Sequence, residues 1–175
     1  MNTPDPNQWP PLAKDDEGLL TDILALLTDR AKGNAYSTDG SFAREIATLP
    51  TGLRAMAATH WLDISLTLDS ITWHFGNFGE PGLVAETETG LRELGLGDLA
   101  TCFSKAKELM VPLLAQRSEE ASDYYEMLDR AGLRDYADEI NKKAWEIDDL
   151  RPDRSTIYEA WIRYARKSPE LVFSE

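Results

Sequence analysis

The sequence predicts an all-α fold: a single compact multi-helix domain of about seven to eight helices behind an extended, Pro-rich N-terminal arm. Three observations predict it. Apolar residues recur at spacings of three and four in successive segments, the period of a helix with one buried stripe. No stretch combines sustained apolar–polar alternation with β-branched enrichment, so strands are not required. Glycine, proline and small polar residues punctuate the chain at helix-length intervals. With 175 residues, 42% of them apolar, the chain is long enough to bury one core without staples. Cys102 is its single cysteine, so no intrachain disulfide is possible.

Taken in order, Pro4, Pro6, Pro10 and Pro11 remove backbone donors and fix φ. Residues 1–14 are therefore predicted as an extended arm, with Trp9 placed to pin it to a domain formed by residues 15–175. Asp15, Asp16 and Glu17 open a helix at its positive end, with Leu19, Leu20, Ile23, Leu24, Leu26 and Leu27 as its stripe and Gly33 as its stop. GNAYSTDG reads as a loop, followed by a short helix from Ser41 to Thr48. Thr51 is the expected N-cap of a central helix reaching His74. Leu53, Ala57, His60, Ile64, Leu68, Ile71 and Phe75 share its stripe, and a break is anticipated near Leu68 to Ser70. GNFGEPG reads as a loop. Pro81 to Leu94 forms the next helix, stopped by Gly95. Asp98 is the expected cap of another, in which Pro112 should kink the helix or end it early. One helix is expected from Ser118 to Gly132. Another runs from Arg134 to Asp149, with Tyr136, Ile140, Ala144, Trp145 and Ile147 inward and Arg151 and Pro152 breaking it. The last long helix opens at Ser155 and ends at Pro169, and Leu171 to Phe173 dock back as an apolar tail.

Lys and Arg number 18 against 31 Asp and Glu, a formal charge of −13. A field of that sign repels nucleic-acid phosphates and anionic membranes and favours basic protein partners or plain solubility. The N-terminus has neither the basic nor the apolar region of a secretory signal, and no apolar run approaches the ~18 residues of a membrane span. A cytoplasmic location is expected by elimination. The acid is uneven: Ser118 to Asp153 holds twelve Asp or Glu against five Lys or Arg, a net −7. Glu119, Asp123 and Glu126 are spaced to share one helix face, with Glu120 beside them. Asp135, Asp138 and Glu139 cluster early on the next helix, where Asp138–Lys142 and Glu139–Lys143 have pairing geometry. Glu119, Glu120, Asp123, Glu126, Asp135, Asp138 and Glu139 are thus the candidate partner-binding residues. A solvated helix face is the simpler reading of them. The functional alternative is a rigid negative surface that imitates a phosphate array, pre-organised because its carboxylates ride on helices.

Candidates for chemistry are sparse. His60 has Asp63 three residues on, and His74 follows fourteen residues after His60. Zinc requires three or four well-spaced ligands, and neither HExxH nor Glu-x-x-His pairs occur. Structural histidines are the simpler reading, and no metal, cofactor or catalytic residue is assigned. Cys102, on an apolar stripe, reads as a buried, inert thiol. Gly76, Gly79 and Gly82 follow no strand and match no phosphate-binding fingerprint, so they read as a helix-to-helix connection.

From Leu49 to Phe173 the chain resembles the bacterial DNA-mimic-like family, most of whose members are filed as a domain of unknown function. The resemblance lies in LPTGLRAMAATHWLD, in Asn77 after an aromatic pair, in Glu88 to Leu94 and Ala106 to Met110, and in WEIDDLRPDRSTIYEAWIRYARKSPELVF. The family's Asn-Gly-Gly-aromatic turn followed by Gln is not kept. Leu68 to Trp73 reads LDSITW, with Asp69 and Ser70 for the glycines and Trp73 for the Gln, so that a helix running straight through is the alternative to a break. The resemblance implies an all-helical, often dimeric protein that binds other proteins through an acidic surface.

The expected function is an acidic, non-enzymatic protein-interaction module. DNA mimicry towards a basic or DNA-binding regulator is its sharpest form. Two other readings stay open: an immunity-type protein that neutralises a toxin by charge complementarity, and a small metal-dependent hydrolase built on His60, Asp63 and His74.

Overall fold

The computed structural model describes residues 8–117, 123–148 and 155–174. Among these the protein has ten α-helices, eight of them longer than six residues, and no strand. After a 3-10 turn at Pro10–Ala13, α1 covers Asp16–Arg30, α2 Ser41–Ile46, α3 Thr51–Leu68, α4 Ile71–Phe78 and α5 Pro81–Glu93. Then follow α6 at Gly97–Leu114, α7 at Tyr124–Ala131, α8 at Arg134–Asp148, α9 at Thr156–Lys167 and α10 at Glu170–Phe173.

The middle of the fold is α3, which touches α1, α2, α4, α5, α8, α9 and α10. Its sequence allows this because Gly52, Ala55, Ala57, Ala58 and Thr59 are small, so neighbouring backbones come close. The tightest approach is to α5. A Cβ on Gly90 would lie 3.0 Å from the Ala55 carbonyl oxygen and 3.1 Å from its Cα. Arg54 of α3 donates two hydrogen bonds to Glu86 of α5 along the same seam. Around this pair pack Leu53, Met56, Leu62 and Leu66 from α3, Phe75 and Phe78 from α4, Phe103 from α6 and Trp161 from α9, all fully or nearly fully buried.

Burial on most sides leaves the polar residues of α3 dependent on other helices. Thr59 donates to the Ala55 carbonyl at 2.8 Å and accepts from Trp161 Nε1 at 3.0 Å. Ser65 donates to the Trp61 carbonyl at 2.7 Å and accepts from His74 Nδ1 at 2.9 Å. Asp63 accepts from Ser155, the N-cap of α9. The bonds from Trp161, His74 and Ser155 tie α3 to α4 and α9, and each of the five avoids the ~1–3 kcal/mol penalty of an unpaired buried polar group.

Several boundaries differ from those the sequence predicts. The central helix breaks: Asp69 ends α3 at φ −152°, ψ −93°, and Ser70 caps α4 by accepting from Trp73 N–H at 3.2 Å. Non-helical dihedrals and a serine cap suffice for the break without glycine. Thr51 is the first helical residue of α3, and Pro50 holds the cap position without a side-chain bond. Asp98 likewise lies inside the first turn of α6, behind Leu96 as cap. Only Gly79 and Glu80 separate α4 from α5, because Gly76 to Phe78 complete the last turn of α4. Pro112 does not end α6 early. It sits two residues before the last helical residue on an exposed face, where its ring and missing donor disturb little. A single helix from Ser118 is not formed, since Asp123 is non-helical and caps α7; residues 118–122 lie outside the described set, as do Arg151 and Pro152.

The two ends of the described chain are joined. Trp9 packs against Phe173 with ring centroids 6.4 Å apart. Arg166 of α9 donates to Asp16 at 2.7 Å and to the carbonyls of Leu12 and Lys14. Val172 of α10 is fully buried against the core.

The α3–α5 seam gives a direct test. Gly90→Val places two methyls where the Ala55 backbone already sits, and should destabilise the fold by about 1–3 kcal/mol in urea melts. The same substitution at exposed Gly97, where an added Cβ meets nothing within 4 Å, should cost less than half as much. Equal effects at the two sites would contradict the close approach.

Candidate acidic interface on α7 and α8

The two acidic helices form a hairpin. Asp123 caps α7, its carboxylate accepting from Tyr125 N–H at 2.9 Å. Gly132 closes α7 in the left-handed conformation at φ 67°, which favours glycine. Helix α8 then buries Ala137, Ile140, Asn141, Ala144 and Asp148, one i, i+3, i+4, i+7, i+11 stripe. Asn141 fixes the helix: its side-chain oxygen accepts from Thr72 N–H at 3.1 Å and from the Thr72 hydroxyl at 3.0 Å, at the start of α4.

This stripe corrects the predicted facing of α8. Ile140 and Ala144 are inward as expected. Tyr136 and Trp145 are instead exposed, by 48% and 41%. The buried stripe carries Asn141 and Asp148, whose polarity hides it in the sequence.

The seven predicted partner-binding residues are placed unequally. Glu119 and Glu120 lie outside the described residues. Asp123 is occupied as a cap. Glu126 is paired with Arg130 one turn on. Asp129, which the prediction did not single out, accepts two 2.9 Å bonds from Arg134, whose guanidinium also lies 4.5 Å over the Tyr125 ring. Arg134 holds the Asp129 carboxyl below the usual range. Asp135, Asp138 and Glu139 are all exposed. Among the described residues none of the three has a cation within 4.0 Å, and the predicted Asp138–Lys142 and Glu139–Lys143 bridges are not formed. Lys143 turns towards Glu146 instead, at 3.6 Å.

The histidine candidates separate into two groups. His60 Nδ1 is 3.0 Å from the Tyr158 hydroxyl, and Ser155 donates to Asp63 close by. Burial pushes the Asp63 carboxyl up, opposed by the Ser155 and Tyr158 hydroxyls. Burial also lowers His60. His74 lies elsewhere, sealed among Phe75, Phe78 and Phe103 and bonded to Ser65. Burial holds its pKa down to about 3. Tyr158 and Ser155 were missed by sequence reasoning, because a partner nearly a hundred residues away leaves no local pattern. Among the described residues no three His, Cys, Asp or Glu side chains are grouped to hold a metal ion. Cys102 is buried, its thiol donating to the Ile140 carbonyl at 3.4 Å, and burial pushes its pKa up. Of the three glycines read as a connection, only Gly79 lies between the helices, Gly76 being in α4 and Gly82 in α5.

Residues 47–167, more than half of the chain, match the family described as DMP19-like protein. The chain belongs to the DMP19-like family. This is the DNA-mimic-like family that the sequence resembles, and the matched region runs from just before α3 to the end of α9, with α1, α2 and α10 outside it. No curated protein and no solved structure matches the chain. No helix among the described residues is long and apolar enough to cross a membrane.

The sealed His74 predicts a pH dependence. The folded state keeps it neutral down to about pH 3, whereas in the unfolded chain it titrates near 6.5. The unfolded state therefore binds the proton first, and stability present above pH 6.5 is lost as pH falls, by up to ~1.4 kcal/mol per pH unit. Denaturant melts at pH 7 and pH 5 should show a shallower loss for His74→Leu than for the wild type. Identical slopes would contradict a buried neutral imidazole.

Proposed function

We propose that this DMP19-like protein is a non-enzymatic interaction module that presents an anionic helix face to the basic surface of a DNA-binding protein, in the place of DNA phosphates. One observation carries the reading: Asp135, Asp138 and Glu139 project from α8 exposed and without an ion-pair partner among the described residues. Helix α8 is anchored at Asn141, so these carboxylates are held on a fixed backbone and lose little entropy on binding. Membership of a DNA-mimic-like family supports the same reading, as does the charge of −13, which repels nucleic acid itself and steers basic partners inward. Glu126 and Asp129, already neutralised in place, contribute less.

The experiment is affinity co-purification of the full chain from its own cells at low and high salt, with mass spectrometry of what is retained. A basic DNA-binding protein should be recovered, released by salt, and displaced by added duplex DNA. The variant Asp135→Lys, Asp138→Lys, Glu139→Lys should fold normally and lose it. Retention by that variant, or insensitivity to salt and DNA, would overturn the proposal. Recovery of a basic toxin that DNA does not displace would replace mimicry with the immunity-type reading.

A further inference from the structure

The acidic face of α8 borders an apolar pair that its neighbours leave uncovered. Leu68, the last residue of α3, is 68% exposed, and Trp145 of α8 is 41% exposed. They lie on one edge of the molecule, because Trp145 Nε1 donates to the Leu66 carbonyl at 3.3 Å, two residues before Leu68. That bond uses the only donor of the indole, so what Trp145 offers to solvent is apolar ring. The turn that carries Leu68 is held in place. Asp69 accepts from the Tyr125 hydroxyl of α7 at 2.8 Å, and Ser70 caps α4.

Isolated exposed apolar residues are ordinary. A tryptophan held by a backbone hydrogen bond beside an exposed leucine is a different feature, since anchored aromatics carry much of the affinity at interfaces. The charged surroundings identify the occupant. Asp138 is two turns before Trp145 on the same side of α8, Asp135 lies one turn further back, and Asp69 adjoins Leu68. Lys142 and Lys143 precede Trp145 on α8, Lys143 being turned towards Glu146. Arg134, on the same edge, is engaged by Asp129 and Tyr125. A second copy of this chain would bring these carboxylates against themselves, in a molecule already at −13.

We infer that Leu68 and Trp145 form the apolar anchor of the interface proposed above, and that they receive an aliphatic side chain projecting from a basic helix of the partner protein. The inference rests on that reading of α8. The carboxylates steer the helix in and the apolar pair sets how long it stays.

Two synthetic helical peptides of identical positive charge test it, one with a central leucine and one with alanine in its place, each titrated calorimetrically onto the full chain. The wild type should bind the leucine peptide roughly tenfold more tightly. Leu68→Ser, a change at an exposed helix end, should remove most of that preference, and Leu68→Ser with Trp145→Ala all of it. Asp135→Lys with Asp138→Lys should weaken both peptides alike and leave the preference intact. Equal, salt-sensitive binding of the two peptides by the wild type would overturn the anchor while leaving the acidic interface standing. A preference that survives in the double apolar variant would also overturn it. Binding of neither peptide would overturn the anchor and the acidic reading together. Wild-type self-association abolished by Leu68→Ser would assign the patch to a second copy and overturn the inference.

Discussion

The rest of this structure depends on α3 being enclosed on nearly every side while carrying polar residues that cannot reach water. A helix in that position is stable only if each buried hydroxyl and carboxylate meets a partner. Trp161 and Ser155 of α9 meet Thr59 and Asp63, and His74 of α4 meets Ser65. Partner helices are thereby ordered around α3 by chemistry that apolar packing alone would leave open. Close approach adds a second restriction, because Ala55 and Gly90 set the distance between α3 and α5.

That arrangement determines what the surface offers. Helix α8 is joined to the core through Ala137, Ile140, Ala144 and the Asn141–Thr72 bonds. With one stripe fixed inward, Asp135, Asp138 and Glu139 face outward and Trp145 lies at the seam with the end of α3. The acidic character of the hairpin is thinner than its composition suggests. Among the described residues Glu126 and Asp129 are neutralised by arginines, and Asp123 is spent on capping. What remains is a compact group on one helix, next to an uncovered apolar edge.

Much of the fold was legible in the sequence, because helical periodicity and punctuation are local. The stripe of α1, the Pro81 start of α5, the Ser155 cap of α9 and the docking of Val172 all follow from residues within a few positions of one another. The errors share a cause as well. Trp145 and Tyr136 look like core residues, and Asn141 and Asp148 do not. Only the distant Thr72 explains why Asn141 is buried. The bond between His60 and Tyr158 spans helices far apart in the chain, and so does the one between Asp63 and Ser155. The acidic candidates were legible as residue types, but their neutralisation depends on which rotamers the arginines adopt, and sequence spacing does not fix that.

The central claim is that the outward carboxylates of α8 sit on a helix as firmly held as α3. Native-state hydrogen exchange measures this directly. The amides of Ala137 to Ala144 should open only with global unfolding, at the same free energy as those of Ala55 to Ser65. If the α8 amides exchanged through a local opening of much lower free energy while α3 stayed protected, the anionic face would not be pre-organised and the account would fail.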